Sequence, residues 1–188
     1  MIRRIPLWGF ALAFIAQAAL LGYMLADRAM LLANGTEIRL PVVPVDPRDF
    51  LRGDYVILSY PMSRLYAAQL GGDDDFTYST PIFVELAREG DSWKPVALHK
   101  TAPEGVTSLR GTVTYYMQPN GCTDVSCTEY TVEYNLEKFF VPEGEGLELE
   151  KLRNNQRLQV DVAVAGNGRA ALKRLLVDGE TKYEEKMF

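Results

Sequence analysis

The chain has one histidine and two cysteines, a scarcity that removes most metal and redox chemistry at the outset. The cysteines lie together in Cys122-Thr-Asp-Val-Ser-Cys127, which supplies half of a four-ligand zinc site, and no second Cys or His pair completes it. His99 stands in the apolar run Pro95–Lys100 with no partner close in sequence, so it reads as a packed or hydrogen-bonded strand residue. After Arg3 and Arg4 no Lys/Arg-rich cluster appears. The 20 basic residues less those two leave 18 against 25 Asp and Glu, a net charge of −7 for residues 27–188. A domain of that sign repels phosphate backbones, which argues against a nucleic-acid partner. No P-loop glycine pattern occurs, and no cofactor or metal site is implied.

Charge is also missing from Ile5–Ala26, and here the gap is informative. This 22-residue stretch, IPLWGFALAFIAQAALLGYMLA, makes about 33 Å of helix, enough for a hydrocarbon core of about 30 Å. Trp8 and Tyr23 lie near its two ends, where amphipathic rings favour the interface. Arg3 and Arg4 predict a cytoplasmic N-terminus, with everything after Ala26 outside. Ala16-Gln17-Ala18 has the form of a signal-peptide cleavage site, yet the apolar run continues past it, as an uncleaved anchor requires. Asp27–Ala33 can extend the helix beyond the membrane, and Asn34-Gly35 is the expected stop. With that topology Cys122 and Cys127 are expected to form a disulfide clipping a hairpin.

Residues 1–34 thus form the anchor and its short extension, and 35–188 one β-rich domain. Thr36–Val45 carries Pro41 and Pro44, which suits an edge strand. Asp54–Tyr60 reads as a strand, and Ser63–Leu70 as a short helix with Ser63 as N-cap. Pro81–Arg88 and Trp93–Lys100 form a hairpin. Thr112–Gln118 and Glu129–Asn135 flank the cysteine loop, Gly146–Asn154 is helical, and Arg157–Ala165 with Arg169–Val177 make a second hairpin. Leu51-Arg52-Gly53 recurs as Leu109-Arg110-Gly111, each followed by a Tyr-rich strand, a short helix and a hairpin. That order predicts two tandem similar halves, about 36–101 and 102–179, closing as a small barrel or two-layer sheet. The expected fold is therefore mainly β with short helices (α+β), behind a transmembrane helix.

Candidates for chemistry are few. Asp73-Asp74-Asp75 lacks the spaced ligands of a calcium loop and reads as a solvated, mobile loop, while Glu143 and Glu145 mark a turn into the second helix. Phe139, Phe140, Tyr116 and Tyr134 are candidates to line a groove between the halves. Arg52-Gly53-Asp54 spells an adhesion tripeptide, but it opens directly into a strand, where such a tripeptide must project from a loop tip. Gly53–Leu58 is similar to the strand that follows the nucleophile in serine–lysine membrane proteases. The ten residues before it, Val43–Arg52, hold no Ser, Thr or Cys that could be activated.

Gly53-Asp54-Tyr55-Val56-Ile57-Leu58-Ser59-Tyr60 matches G-D-Y-x-x-L-x-Y at all five named positions, Gly53, Asp54, Tyr55, Leu58 and Tyr60. It resembles the GDYXXLXY family of bacterial membrane-anchored proteins, and Glu137–Gly146 resembles that family's second region. The resemblance implies a single N-terminal anchor in the bacterial inner membrane, an external domain of unknown function, and a multi-pass membrane protein as partner. It brings no catalytic residue. Read physically, Gly53 and Asp54 are turn residues, and Val56, Leu58 and Tyr60 share one strand face with Tyr55 and Ile57 on the other. Apolar residues on both faces predict a central strand. The reading is a non-enzymatic binding or adaptor protein. The alternatives are a small-molecule or peptide-binding module with an aromatic groove and, third, a carboxylate-dependent hydrolase.

Overall fold

The computed structural model describes residues 7–43, 55–118, 127–142 and 144–185. Helix α1 spans Leu7–Asn34, and its 18-residue apolar window has no residue buried against the rest of the chain. A core helix of this hydropathy would be covered. This one is exposed throughout that window, and it is long and apolar enough to cross a membrane. It ends where Asn34-Gly35 predicts. The Asn34 side chain donates to Met30 O, and Gly35 N donates to Leu31 O at 2.9 Å. A Cβ at Gly35 would lie 2.7 Å from that same carbonyl, so only glycine permits this close exit.

The strands are β1 (Thr36–Pro41), β2 (Tyr55–Ile57), β3 (Arg64–Tyr66), β4 (Gly71–Gly72), β5 (Pro81–Glu89), β6 (Ser92–His99), β7 (Ser108–Met117), β8 (Glu129–Glu133), β9 (Lys138–Phe140), β10 (Leu158–Val164), β11 (Ala170–Val177) and β12 (Glu180–Glu184). Helix α2 (Gly146–Asn154) lies between β9 and β10. Sheet order is β1-β10-β11-β12 in one sheet and β3-β8-β7-β5-β6-β4 in the other, with β2 and β9 as a separate ribbon. The fold is mainly β, and its sheets curl as a half-barrel around one core. Ile38 and Leu40 of β1, Val84 of β5, Leu109 and Val113 of β7, and Val160 and Val162 of β10 are all buried in it.

Both expected hairpins are present, as β5–β6 and β10–β11, and α2 occupies the expected residues. The proline-bearing β1 lies at a sheet edge. Two expectations are corrected. Ser63–Leu70 is not a helix: it is a 3-10 turn, the strand β3, and a second 3-10 turn at Ala67–Gln69. Strand β3 pairs with β8, Leu65 opposite Tyr130, and Ala67 N donates to Thr128 O. These long-range partners take the backbone groups a helix would have used, while Met62, Leu65 and Ala67 go inward. Second, β2 is not a central strand of a large sheet. It pairs over three residues with β9 alone, and Ser59 adds one bridge to Val43.

The first anchor of the repeat, Leu51-Arg52-Gly53, lies outside the described residues, and the second lies within β7. Strand pairing joins the proposed halves: β1 with β10, β2 with β9 and β3 with β8. Gly111 packs so closely on β8 that a Cβ would stand 2.3 Å from Val132 Cγ1. Beside it, Arg110 N donates to Gly168 O at 2.8 Å, tying the tip of the β10–β11 hairpin to the larger sheet.

The last turns of α1 lie on the outer face of the smaller sheet. Leu31 and Leu32 pack with Ala163 and Ala171, small residues that let the helix approach. Asp27 pairs with Arg169, and Arg28 with Glu185 at 2.9 Å. Further along the same face Asp161 is buried between Arg39 (2.8 Å) and Arg174 (2.9 Å). Burial pushes the Asp161 carboxyl up, and the two guanidinium groups more than reverse it, leaving its pKa below the ordinary carboxylate value.

Candidate functional site

The motif strand is built into the ribbon β2–β9, with Tyr55 opposite Phe140, Val56 opposite Phe139 and Ile57 opposite Lys138. Alternation sends Val56 and Phe139 inward, where both are buried, and leaves Tyr55 and Phe140 on the outer face. Leu58 and Tyr60 continue the inward face and are buried too, as expected. Gly53 and Asp54 lie outside the described residues.

Two phenols fasten this region. Tyr60 donates its hydroxyl to Leu136 O at 2.6 Å, and Tyr134 donates to Met62 O at 2.7 Å. The two bonds run in opposite directions between the segment after the motif strand and the β8–β9 turn, so they close it like a double latch. The turn itself bends at Asn135, in the left-handed region at φ 59°, and Glu137 accepts from Tyr134 N at 2.6 Å. Burial, reinforced by the Glu137 carboxylate, holds both phenol pKa values well above the ordinary 10. Both therefore remain protonated donors. On the other side of the ribbon the buried Arg153 of α2 donates Nη1 to Ile57 O at 2.9 Å.

On the outer face Tyr55 and Phe140 have ring centroids 6.0 Å apart, and Lys138 Nζ stands 5.6 Å from the Tyr55 centroid. Such an exposed cation–π contact contributes about 0.5–1 kcal/mol. Phe140 is 73 % exposed, the most exposed large apolar side chain of the described residues outside α1. Between this cluster and α1 lies a cleft of about 560 Å³, lined by Arg28, Lys138, Phe139, Phe140, Leu172 and Tyr183 among others. The Tyr183 ring packs on Phe139 at 6.3 Å, and its buried hydroxyl has no hydrogen-bond partner among the described residues. A second cleft of about 380 Å³ shares Arg28 and Asn135 with the first and adds Asp27, Arg110, Tyr134 and Arg169.

Of the four groove candidates, Phe139 and Phe140 line the first cleft and Tyr134 the second, whereas Tyr116 lines neither. Tyr116 instead lies half exposed near the end of β7. Cys122 lies outside the described residues, and the expected pairing with it; Cys127 stands two residues before Glu129, the first residue of β8. His99 has a partner that sequence proximity could not reveal: Glu85 on the facing strand, with Nε2 and Oε2 2.8 Å apart. Asp73-Asp74-Asp75, expected to be mobile, is held at three points. Asp73 accepts from Lys100 N at 2.8 Å, Asp74 O accepts from Tyr130, and Asp75 pairs with Lys100 at 2.6 Å. No metal-binding group of three such side chains exists among the described residues. Glu145 stands at the start of α2, while Glu143 lies outside the described residues.

The sequence reading missed Arg28, Lys138 and Tyr183. Strand alternation around Phe139 would have placed Lys138 and Phe140 together. Nothing local joins Arg28 to Tyr183.

The profile of the family described as "GDYXXLXY protein" matches residues 17–175, most of the chain. The chain belongs to the GDYXXLXY family. Of the GDYXXLXY signature, Leu58 and Tyr60 are buried in the core and Tyr55 alone of the described positions reaches the surface beside the cleft. No curated protein and no solved structure matches this GDYXXLXY chain.

Proposed function

We propose that this protein is a membrane-anchored binding partner. One transmembrane helix places its N-terminus in the cytoplasm and holds the β-rich domain outside, where it binds a multi-pass membrane or envelope protein without catalysis of its own. The observation that supports this most is how α1 ends. A simple tether would pass into a flexible linker; α1 instead runs unbroken from its apolar stretch into turns packed on the sheet through Leu31 and Leu32. A domain fixed to its own helix presents the same surfaces at the same height to any neighbour in the bilayer. Such preorganisation lowers the entropic cost of binding an embedded partner. The test is affinity purification from native membranes. Wild type should recover a specific multi-pass protein, and Leu31→Asp/Leu32→Asp, which breaks the dock, should recover much less. Recovery of no membrane protein, or equal recovery by both, counts against the reading. Protease added to intact spheroplasts should reach the domain.

One observation favours a second reading, a small-molecule or peptide-binding module. The cleft of about 560 Å³ beside Phe139 and Phe140 falls in the range of roughly 300–1,000 Å³ typical of small-ligand sites.

A further inference from the structure

The apolar run of α1 ends at Ala26, and Arg28 stands two residues on, about 3 Å farther along the helix axis. The headgroup layer on each side of a bilayer is roughly 5–7 Å deep, so on the anchor reading Arg28 lies within it. Arg28 and Phe140 line the same cleft. The ion pair of Arg28 with Glu185 and the dock of Leu31 and Leu32 hold the cleft to that level of the helix. Its walls are of two kinds. Phe139, Phe140 and Leu172 are apolar, whereas Lys138 brings a cation and Glu184 an anion, beside the buried Tyr183 hydroxyl, which has no partner among the described residues. The charges of Arg28, Lys138, Glu184 and Glu185 sum to zero. An anionic ligand alone would leave the carboxylates opposed, while a zwitterion matches both signs.

We propose that this cleft faces the bilayer and takes a zwitterionic phospholipid headgroup, with Phe140 seated at the boundary of the acyl chains. The phosphate lies toward Lys138 and the ammonium toward Glu184. A phenyl ring that is exposed in the protein alone is covered by lipid in the membrane, which explains why Phe140 stands 73 % open beside a helix that spans it. The inference rests on the membrane-anchor reading, and the following experiment separates the two.

Two single-tryptophan versions of the full chain are placed in vesicles of zwitterionic lipid brominated near the headgroup end of its acyl chains. Trp93→Phe retains Trp8 as a reporter of the anchor. Trp8→Phe/Trp93→Phe/Phe140→Trp reports the cleft, and the exposed position tolerates the larger ring. Both tryptophans should be quenched by bromine, and Lys138→Glu, which replaces the phosphate's ion-pair partner by a like charge, should lower the ratio of lipid-covered to water-exposed cleft tryptophan by up to about fivefold. A quenched Trp8 with the cleft tryptophan open to aqueous iodide overturns the cleft proposal and leaves the anchor standing. An unquenched Trp8 overturns the anchor and the proposal with it. If Trp93→Phe unfolds the domain, Trp93 is retained and the cleft signal is read as the difference between the Phe140→Trp chain and its parent.

Discussion

At the scale of single residues, the two phenols that latch the β8–β9 turn are each buried and bonded to a backbone carbonyl across it. Tyr60→Phe strands the Leu136 carbonyl and Tyr134→Phe the Met62 carbonyl, each change destabilising by about 1–3 kcal/mol. Their raised pKa values make a second prediction. A phenol whose folded pKa exceeds its unfolded value stabilises the fold fully below about pH 10, and that stability is lost as pH rises toward the folded value. Alkaline unfolding, followed by denaturant midpoint and tyrosinate absorbance, should therefore begin near pH 10 and weaken in the double Phe variant. A midpoint independent of pH up to 11 in wild type would contradict it. That Tyr60 shares a strand face with Val56 and Leu58 was legible in the strand period, because alternation is a local property of the backbone. Its acceptor was not, since Leu136 is brought to it by the turn at Asn135.

At the scale of elements, α1 and α2 show the two ways a helix is held here. Exposed ion pairs of Asp27 and Arg28 orient α1, but screened surface pairs contribute little. The apolar contact of Leu32 with the small-residue face does more. Leu32→Ala should destabilise the dock by about 2 kcal/mol, seen as faster amide exchange in the last turns of α1, whereas Arg28→Gln should leave that exchange nearly unchanged. Helix α2 is tied to the motif strand by Arg153, so Arg153→Ala should cost about 2 kcal/mol, with β2 the first segment to open. The short extent of α2 was readable from its spacing of Leu147, Leu149 and Leu152 and its glycine entrance. Strand β3 was not, because Ser63–Leu70 has an acceptable helical composition and only the edge of β8 decides otherwise.

At the scale of the whole molecule, the anchor reading commits the domain to an oxidising side of the membrane. Intact mass measured without reductant should then find the Cys122–Cys127 pair two hydrogens lighter than the dithiol; a full-length protein carrying two free thiols would refute the hairpin clip. The sequence by itself determined the apolar helix and its stop, both hairpins, α2, and which residues of the motif strand share a face. Each of these follows from residue period, turn chemistry and charge within one short window. That only the Val56 face is buried was decided by the fold. Tertiary structure alone decided that Ser63–Leu70 contains a strand, that β2 lies in a two-stranded ribbon, and that Arg28, Lys138, Phe140 and Tyr183 surround one cleft. The physical reason is that a period states which face a side chain takes, whereas the partner of a backbone group or a pocket wall is chosen by contacts far away in the chain.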